Sequence, residues 1–128
     1  MKFTAQELDF INRYEVCRFA TSMGDKPHVV PVCYIFDDGY FYIAVDYQTK
    51  KYHNLAKNEK ISLVVDTYKP NKAVMIEGEA EIIESGPEFK RMYEKFHAKF
   101  SWVRADPWEE GGATFIRVRP LRKVSWGL

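Results

Sequence analysis

Two cysteines in 128 residues are too few for the disulfide framework that staples small secreted domains. Cys17 and Cys33 both stand inside apolar runs, where a free thiol packs as a small hydrophobe, so reduced thiols and a cytoplasmic location are expected. Charge of one sign is equally scarce. Nineteen Lys and Arg against 18 Asp and Glu leave a formal +1, too weak a field to grip nucleic acid or an anionic membrane. No apolar run approaches the ~20 residues of a spanning helix, and residues 1–7 have no apolar core segment after their single Lys, so neither anchor nor leader is expected. His28, His53 and His97 lie far apart, without Cys or carboxylate neighbours at ligand spacing, which speaks against a zinc site. Gly-x-Ser-x-Gly, Gly-x-Gly-x-x-Gly and Walker patterns are also missing. With them go the commonest signatures of hydrolases, dinucleotide folds and NTPases.

What the chain does have is apolar and aromatic mass. Its 46% apolar content, with nine Phe, eight Tyr and three Trp, can fill one core, and the length predicts a single domain over 1–128. Thr4 with Glu7 makes a capping box for a short helix. Leu8, Ile11 and Tyr14 are its apolar positions, with Glu7, Asn12 and Arg13 in water. The period then changes. Residues 16–23, 28–36 and 40–45, parted by turn residues 24–27 and 37–39, predict a three-strand meander. Residues 49–58 predict a helix with Tyr52, Leu55 and Ala56 on one face and Lys50, Lys51, Asn54 and Lys57 over the remainder.

Strands over 61–68 and 73–84 follow. In the second, Val74, Ile76, Gly78, Ala80 and Ile82 alternate with Glu77, Glu79 and Glu81, and Gly78 marks a bulge, a bend or a close approach. Ser85 and Glu88 form a second capping box with Pro87 in the first turn. Phe89, Met92, Tyr93, Phe96 and Phe100 then make the stripe of a helix with one buried face. Residues 101–112 read as a loop, and strands 113–119 and 121–126 close the chain around Pro120. Seven strands with few helices predict a mainly β fold, a closed or nearly closed antiparallel barrel, because closure removes aggregation-prone edges.

One segment carries candidate chemistry. Thr49, Lys50 and Lys51 put a hydroxyl and two ammonium groups in the first turn of a helix directly after a strand, where unpaired amides and the positive end of the dipole suit a phosphate. Two lysines also suit the solvated face of a short helix, and the residue types leave both readings open. Pro31 cannot donate a ladder bond and therefore demands an edge or a local opening. Trp102, Trp108 and Trp126 suit a core or a dimer interface. Trp108, in a polar loop with Asp106 and Glu109, is the one expected to cover a cleft from a partner subunit. No catalytic acid or base stands out; His28 is the single proton-transfer candidate, against a plainer role as a polar residue at a strand start.

The succession Cys17-Arg18-Phe19-Ala20-Thr21, Pro27-His28-Val29-Val30-Pro31-Val32, Tyr42-Ile43-Ala44-Val45, Thr49-Lys50-Lys51, Asn54-Leu55 and Ile61-Ser62-Leu63-Val64-Val65-Asp66 resembles the flavin-binding split-barrel proteins related to pyridoxamine 5′-phosphate oxidase. Gly78-Glu79-Ala80 and Val124-Ser125-Trp126-Gly127 extend the resemblance over nearly the whole chain, in order. It implies a six- to seven-stranded antiparallel split barrel and a homodimer. It also implies one FMN or deazaflavin coenzyme in each of two clefts at the dimer interface. Position by position, it makes Thr49, Lys50 and Lys51 the phosphate clamp and Ile43 and Ala44 the strand pair along the flavin. Val30, Pro31, Val32 and Cys33 become the strand whose backbone faces the ring.

Two departures matter. An Arg of the oxidase is replaced by Val30, and Lys50 stands where the clamp has Arg, giving up bidentate geometry for a point charge. The oxidase also continues past its Trp into an Arg-containing tail that grips the substrate phosphate, whereas this sequence ends at Leu128, so oxidation of pyridoxamine phosphate is not expected. The resemblance therefore implies a cytoplasmic homodimeric oxidoreductase, FMN-binding or deazaflavin-binding, exchanging hydride with a small-molecule substrate, with reduced nicotinamide as a candidate. The alternatives are a flavin-storage or redox-sensing protein without turnover, and a cofactor-free dimeric scaffold in which the lysines only coat a helix.

Overall fold

Thr4 caps α1 (Ala5–Arg13) in the computed structural model, which describes residues 1–128: its hydroxyl accepts from the Glu7 amide at 3.1 Å, and the Glu7 carboxylate accepts from the Thr4 amide at 2.8 Å. Glu7 does not sit on the wet face, however. Its side chain is 6% exposed, because Lys123 and Ser125 of the last strand both donate to it. Phe10 and Ile11 are the apolar residues that α1 buries beside it.

Seven strands follow: β1 (Val16–Met23), β2 (Lys26–Cys33), β3 (Ile35–Asp37), β4 (Tyr40–Val45), β5 (Lys60–Thr67), β6 (Lys72–Ile83) and β7 (Thr114–Trp126). They form one antiparallel sheet in the order β2-β1-β5-β6-β7-β4-β3. The expected meander is corrected by this order. Residues 28–36 are two strands parted at Tyr34, and these two, adjacent in the chain, end at opposite edges of the sheet. Tyr34 explains the break. Its ring is 1% exposed, its hydroxyl donates to the Ile11 carbonyl at 2.5 Å and its amide to the Glu15 carbonyl at 2.9 Å, so the chain turns inward to satisfy and bury it. The sheet curls into a half-barrel, and β2 is an edge strand as Pro31 requires.

The expected pair of closing strands is a single one. Gly78 of β6 faces Pro120 of β7 while Glu77 faces Arg122, so Leu121 bulges out and the ladder runs past the proline. The close approach expected at Gly78 is there as well: a Cβ on it would lie 2.4 Å from the Arg119 carbonyl oxygen.

The helices differ from expectation in three places. In α2 (Lys50–Lys57), Asn54 is buried and donates to the Thr21 hydroxyl of β1 at 3.0 Å, so it docks the helix instead of facing water. Ser85 stands at the cap of α3 (Gly86–Lys99) without a side-chain bond. Glu88, which would have completed that capping box, accepts from the Tyr42 hydroxyl at 2.7 Å and from Arg117 at 2.9 and 3.1 Å. The stretch read as a loop opens with a short helix, α4 (Ser101–Ala105).

Apolar burial divides into two cores with the sheet as their common wall. Inside the barrel lie Cys17, Phe19, Phe41, Ile43, Leu63, Ile76 and Ile116. Burial there pushes the Cys17 thiol up to about 12, and both cysteines are free. Between the outer face of β4 and β7 and the helices α3 and α4 lie Tyr42, Phe89, Met92, Phe96, Phe100 and Phe115. The rest of the outer face has no such cover. Pro31, Arg18, Val64, Met75 and Val124 stand opposite one another across β2, β1, β5, β6 and β7, and none of the five is buried.

Candidate functional site

β4 ends at Val45, and the turn after it delivers the chain to the start of α2. There Thr49 donates both its hydroxyl, at 2.7 Å, and its amide, at 3.1 Å, to the Asp46 carbonyl. No side chain caps the helix, and the amides of its first turn have no intrahelical acceptor. The first turn holds no acidic residue either; Lys50 and Lys51 add positive charge to the positive end of the dipole. Lys50 is exposed and Lys51 half-buried. Burial pushes the Lys51 ammonium below its ordinary pKa, Asp46 opposing the shift. Lys51 has no place in any of the chain's eight ion pairs. An uncapped helix start beside a partly desolvated, unpaired cation is an arrangement that an anion completes.

Thr49 and Lys51 line one end of a cleft of about 700 Å³, together with Asp46. Ala44, Val45, Gly112 and Ala113 form its floor, and its far end is built by Trp102 and Ala105 of α4 and by residues 106–108. The volume lies within the range of small-molecule sites. Trp102 is 43% exposed yet held in place, stacked on Phe100 with ring centroids 5.6 Å apart. Trp108 lies nearly parallel to it, at 6.3 Å and 10°, and packs edge-on against Tyr93 at 5.0 Å. The indole N–H of Trp108 is sealed from solvent and has no acceptor. The cleft thus carries Lys51, Asp46 and the helix start at one end and two tryptophans with Asp106 at the other. Such a shape accepts a planar ring with an anionic tail.

Of the residues singled out in the sequence, Ala44, Thr49, Lys51 and Trp108 meet around this cleft, and Lys50 is exposed on the first turn of α2 beside it. Ile43 points into the barrel with no exposure, so of the Ile43–Ala44 pair only Ala44 faces the cleft. Val30, Pro31 and Val32 lie on β2, at the other end of the strand order from β4, and none lines the cleft. His28 stands opposite Thr21, outside the cleft, its Nδ1 sealed without a partner. Asp46, Trp102 and Asp106 were not foreseen. Two tryptophans flanking Pro107 were the available signal, but a five-residue helix shows no periodicity to place the first of them.

No three His, Cys, Asp or Glu side chains converge where they could hold a metal, and no helix is long and apolar enough to cross a membrane. A family model described as pyridoxamine 5′-phosphate oxidase matches residues 3–126. No curated protein matches the sequence. Among solved structures, the heme storage protein of Vibrio cholerae matches with a TM-score of 0.82 at 13% identity, over 97% of this chain and 94% of that one. An FAD-binding protein from Mesorhizobium loti matches at 0.72 and 22% identity, over 96% and 92%. An F420 reductase matches at 0.69 and 18%, over 91% and 94%. At these identities the likenesses speak to the fold.

Proposed function

The chain belongs to the pyridoxamine 5′-phosphate oxidase family, and from that premise we propose that it is a homodimeric, cytoplasmic flavin-binding oxidoreductase acting on a small molecule, with reduced nicotinamide as a candidate. FMN is the proposed coenzyme and a deazaflavin the alternative. One observation carries the reading: the uncapped start of α2 with unpaired, half-buried Lys51, opening on a cleft whose other end is aromatic. This donor set suits the phosphate end of a flavin nucleotide, and the solved structures named for FAD and F420 share the fold. A bound flavin supplies the hydride-transfer chemistry itself.

The chain's own work is binding and orientation. The first-turn amides of α2 direct their hydrogens at an anion, Lys51 neutralises it within the cleft and Lys50 from the rim. An anion seated there raises the Lys51 pKa again, which keeps the ammonium charged. The Asp46 carbonyl fixes the Thr49 backbone and so the entry of the helix. Trp102, Pro107 and Trp108 line the ring end of the cleft.

The test is a titration with FMN followed by flavin fluorescence. Saturable quenching is expected for the wild type, weakened at least about tenfold, or 1.4 kcal/mol, in a Lys50→Ala, Lys51→Ala variant. Absence of binding in the wild type sinks the FMN reading and sends the same titration to a deazaflavin.

Homodimerisation is supported by the uncovered outward row of Pro31, Val64, Met75 and Val124, with Val29 at 63% and Trp126 at 43% exposure on neighbouring positions of β2 and β7. Sedimentation equilibrium is expected to give twice the chain mass, and to shift to the monomer in a Val64→Arg, Val124→Arg variant. A wild type that sediments as a monomer at tens of micromolar rules the dimer out.

One observation favours storage or sensing without turnover: a neighbour of the same fold is named for heme storage. Oxidation of a reduced nicotinamide by the FMN-loaded protein separates the two, since a storage protein binds the flavin and leaves the nicotinamide untouched.

A further inference from the structure

Of the exposed large apolar residues of the chain, Trp102 is the one that lines the cleft. It is 43% exposed, and an indole left open to water gives up much of the burial that makes aromatic rings stabilising. Yet it is held from several sides. Phe100 stacks under it at 5.6 Å and 29°, Phe96 meets it edge-on at 6.5 Å and 77°, and Trp108 lies nearly parallel at 6.3 Å and 10°. What remains open borders the cleft, whose opposite end carries Thr49 and Lys51. An apolar side chain already held in place at a cavity wall loses little conformational entropy when a planar ring is laid on it.

We propose that Trp102 is the stacking platform of this cleft, the residue that positions a planar aromatic ring while the start of α2 holds the phosphate at the other end. This rests on the flavin reading above and assigns the ring end of the same site. Trp102 then sets specificity: flavins are preferred over phosphates that carry no aromatic ring. Trp108 lies beside it in the cleft wall. Its N–H is sealed without an acceptor in the present packing, an arrangement that costs free energy.

Fluorescence titrations of four proteins with FMN and with riboflavin, which has the same ring and no phosphate, test the assignment. Trp102→Leu keeps apolar packing on Phe100 and removes the π face; it is expected to weaken both ligands about tenfold or more, in line with alanine-scan values for stacked bases. Trp102→Phe is expected to recover most of that loss. Lys51→Ala is expected to weaken FMN and leave riboflavin unchanged. If Trp102→Leu binds both ligands as the wild type does, the platform is refuted while the flavin reading stands. If the wild type binds neither, the flavin reading falls and the platform with it. If Trp102→Leu and Trp102→Phe lose binding equally and both melt earlier, Trp102 supports the fold and the stacking assignment is overturned.

Discussion

Glu7→Ala is expected to lower the stability of the folded protein by about 2–4 kcal/mol, read as a shift of the urea midpoint at neutral pH. The carboxylate is nearly buried and serves three donors at once: the Thr4 amide, the Lys123 ammonium and the Ser125 hydroxyl. Removing it takes away the half of the capping box that serves the Thr4 amide and leaves Lys123, itself only 24% exposed, with a charge and no counter-charge. The pH dependence carries a definite sign. Burial pulls the Glu7 pKa upward, but the bonds from Lys123, Thr4 and Ser125 outweigh it and hold the group at about 2, against 4.5 for an ordinary Glu. A depressed folded-state pKa means that the contribution is complete above about 4.5 and fades as pH falls toward 2. The stability gap between wild type and Glu7→Gln is therefore expected to narrow over that interval. A gap that stays constant from pH 6 to pH 2.5 contradicts the assignment.

Gly78→Ala is expected to cost at least about 3 kcal/mol and to lower the melting temperature by roughly 10–15 °C. The reason is not chain flexibility. A Cβ there meets the Arg119 carbonyl oxygen at 2.4 Å, and that oxygen belongs to the backbone of the neighbouring strand, which cannot rotate away as a side chain would. The strands must separate at the bulge that carries β7 past Pro120, and this pair is the longest in the sheet. Ala substituted at Gly24, where a Cβ meets nothing within 4 Å but φ is +61°, serves as the control and is expected to cost about 1 kcal/mol. Equal losses at the two sites, measured by calorimetry, contradict the steric account.

These two positions also mark how far the sequence could be read. The Thr4–Glu7 box was visible because both partners lie within one turn. The second role of Glu7, toward a lysine 116 residues away, leaves no local trace, and the same holds for Glu88, drawn off its expected cap by Tyr42 and Arg117. Alternation located the strands themselves well, β1 and β4 to the residue. It did not reveal that one apolar run, 28–36, is two strands, since period-two reading counts alternation and Tyr34 interrupts it with a residue as apolar as its neighbours. Pro120 misled in the opposite direction, because a proline opposite a bulge does not end a strand. At the cleft, the Thr-Lys-Lys start of α2 was legible from charge next to a helix start. Trp102 was not, because its meaning comes from three rings brought to it by tertiary packing.

The break at Tyr34 also limits how the molecule can move. Cys33 closes one edge of the seven-stranded order and Ile35 opens the other, and a single residue between them keeps their Cα atoms within about 7.6 Å. The chain is therefore its own clasp: one covalent stitch, pinned by the buried phenol, holds the barrel's seam shut at that end. The ends of β2 and β3 at that point cannot part further than this link allows. Inserting a few glycines beside Tyr34 undoes the stitch, and amide exchange along β2 and β3 is expected to be the first to quicken.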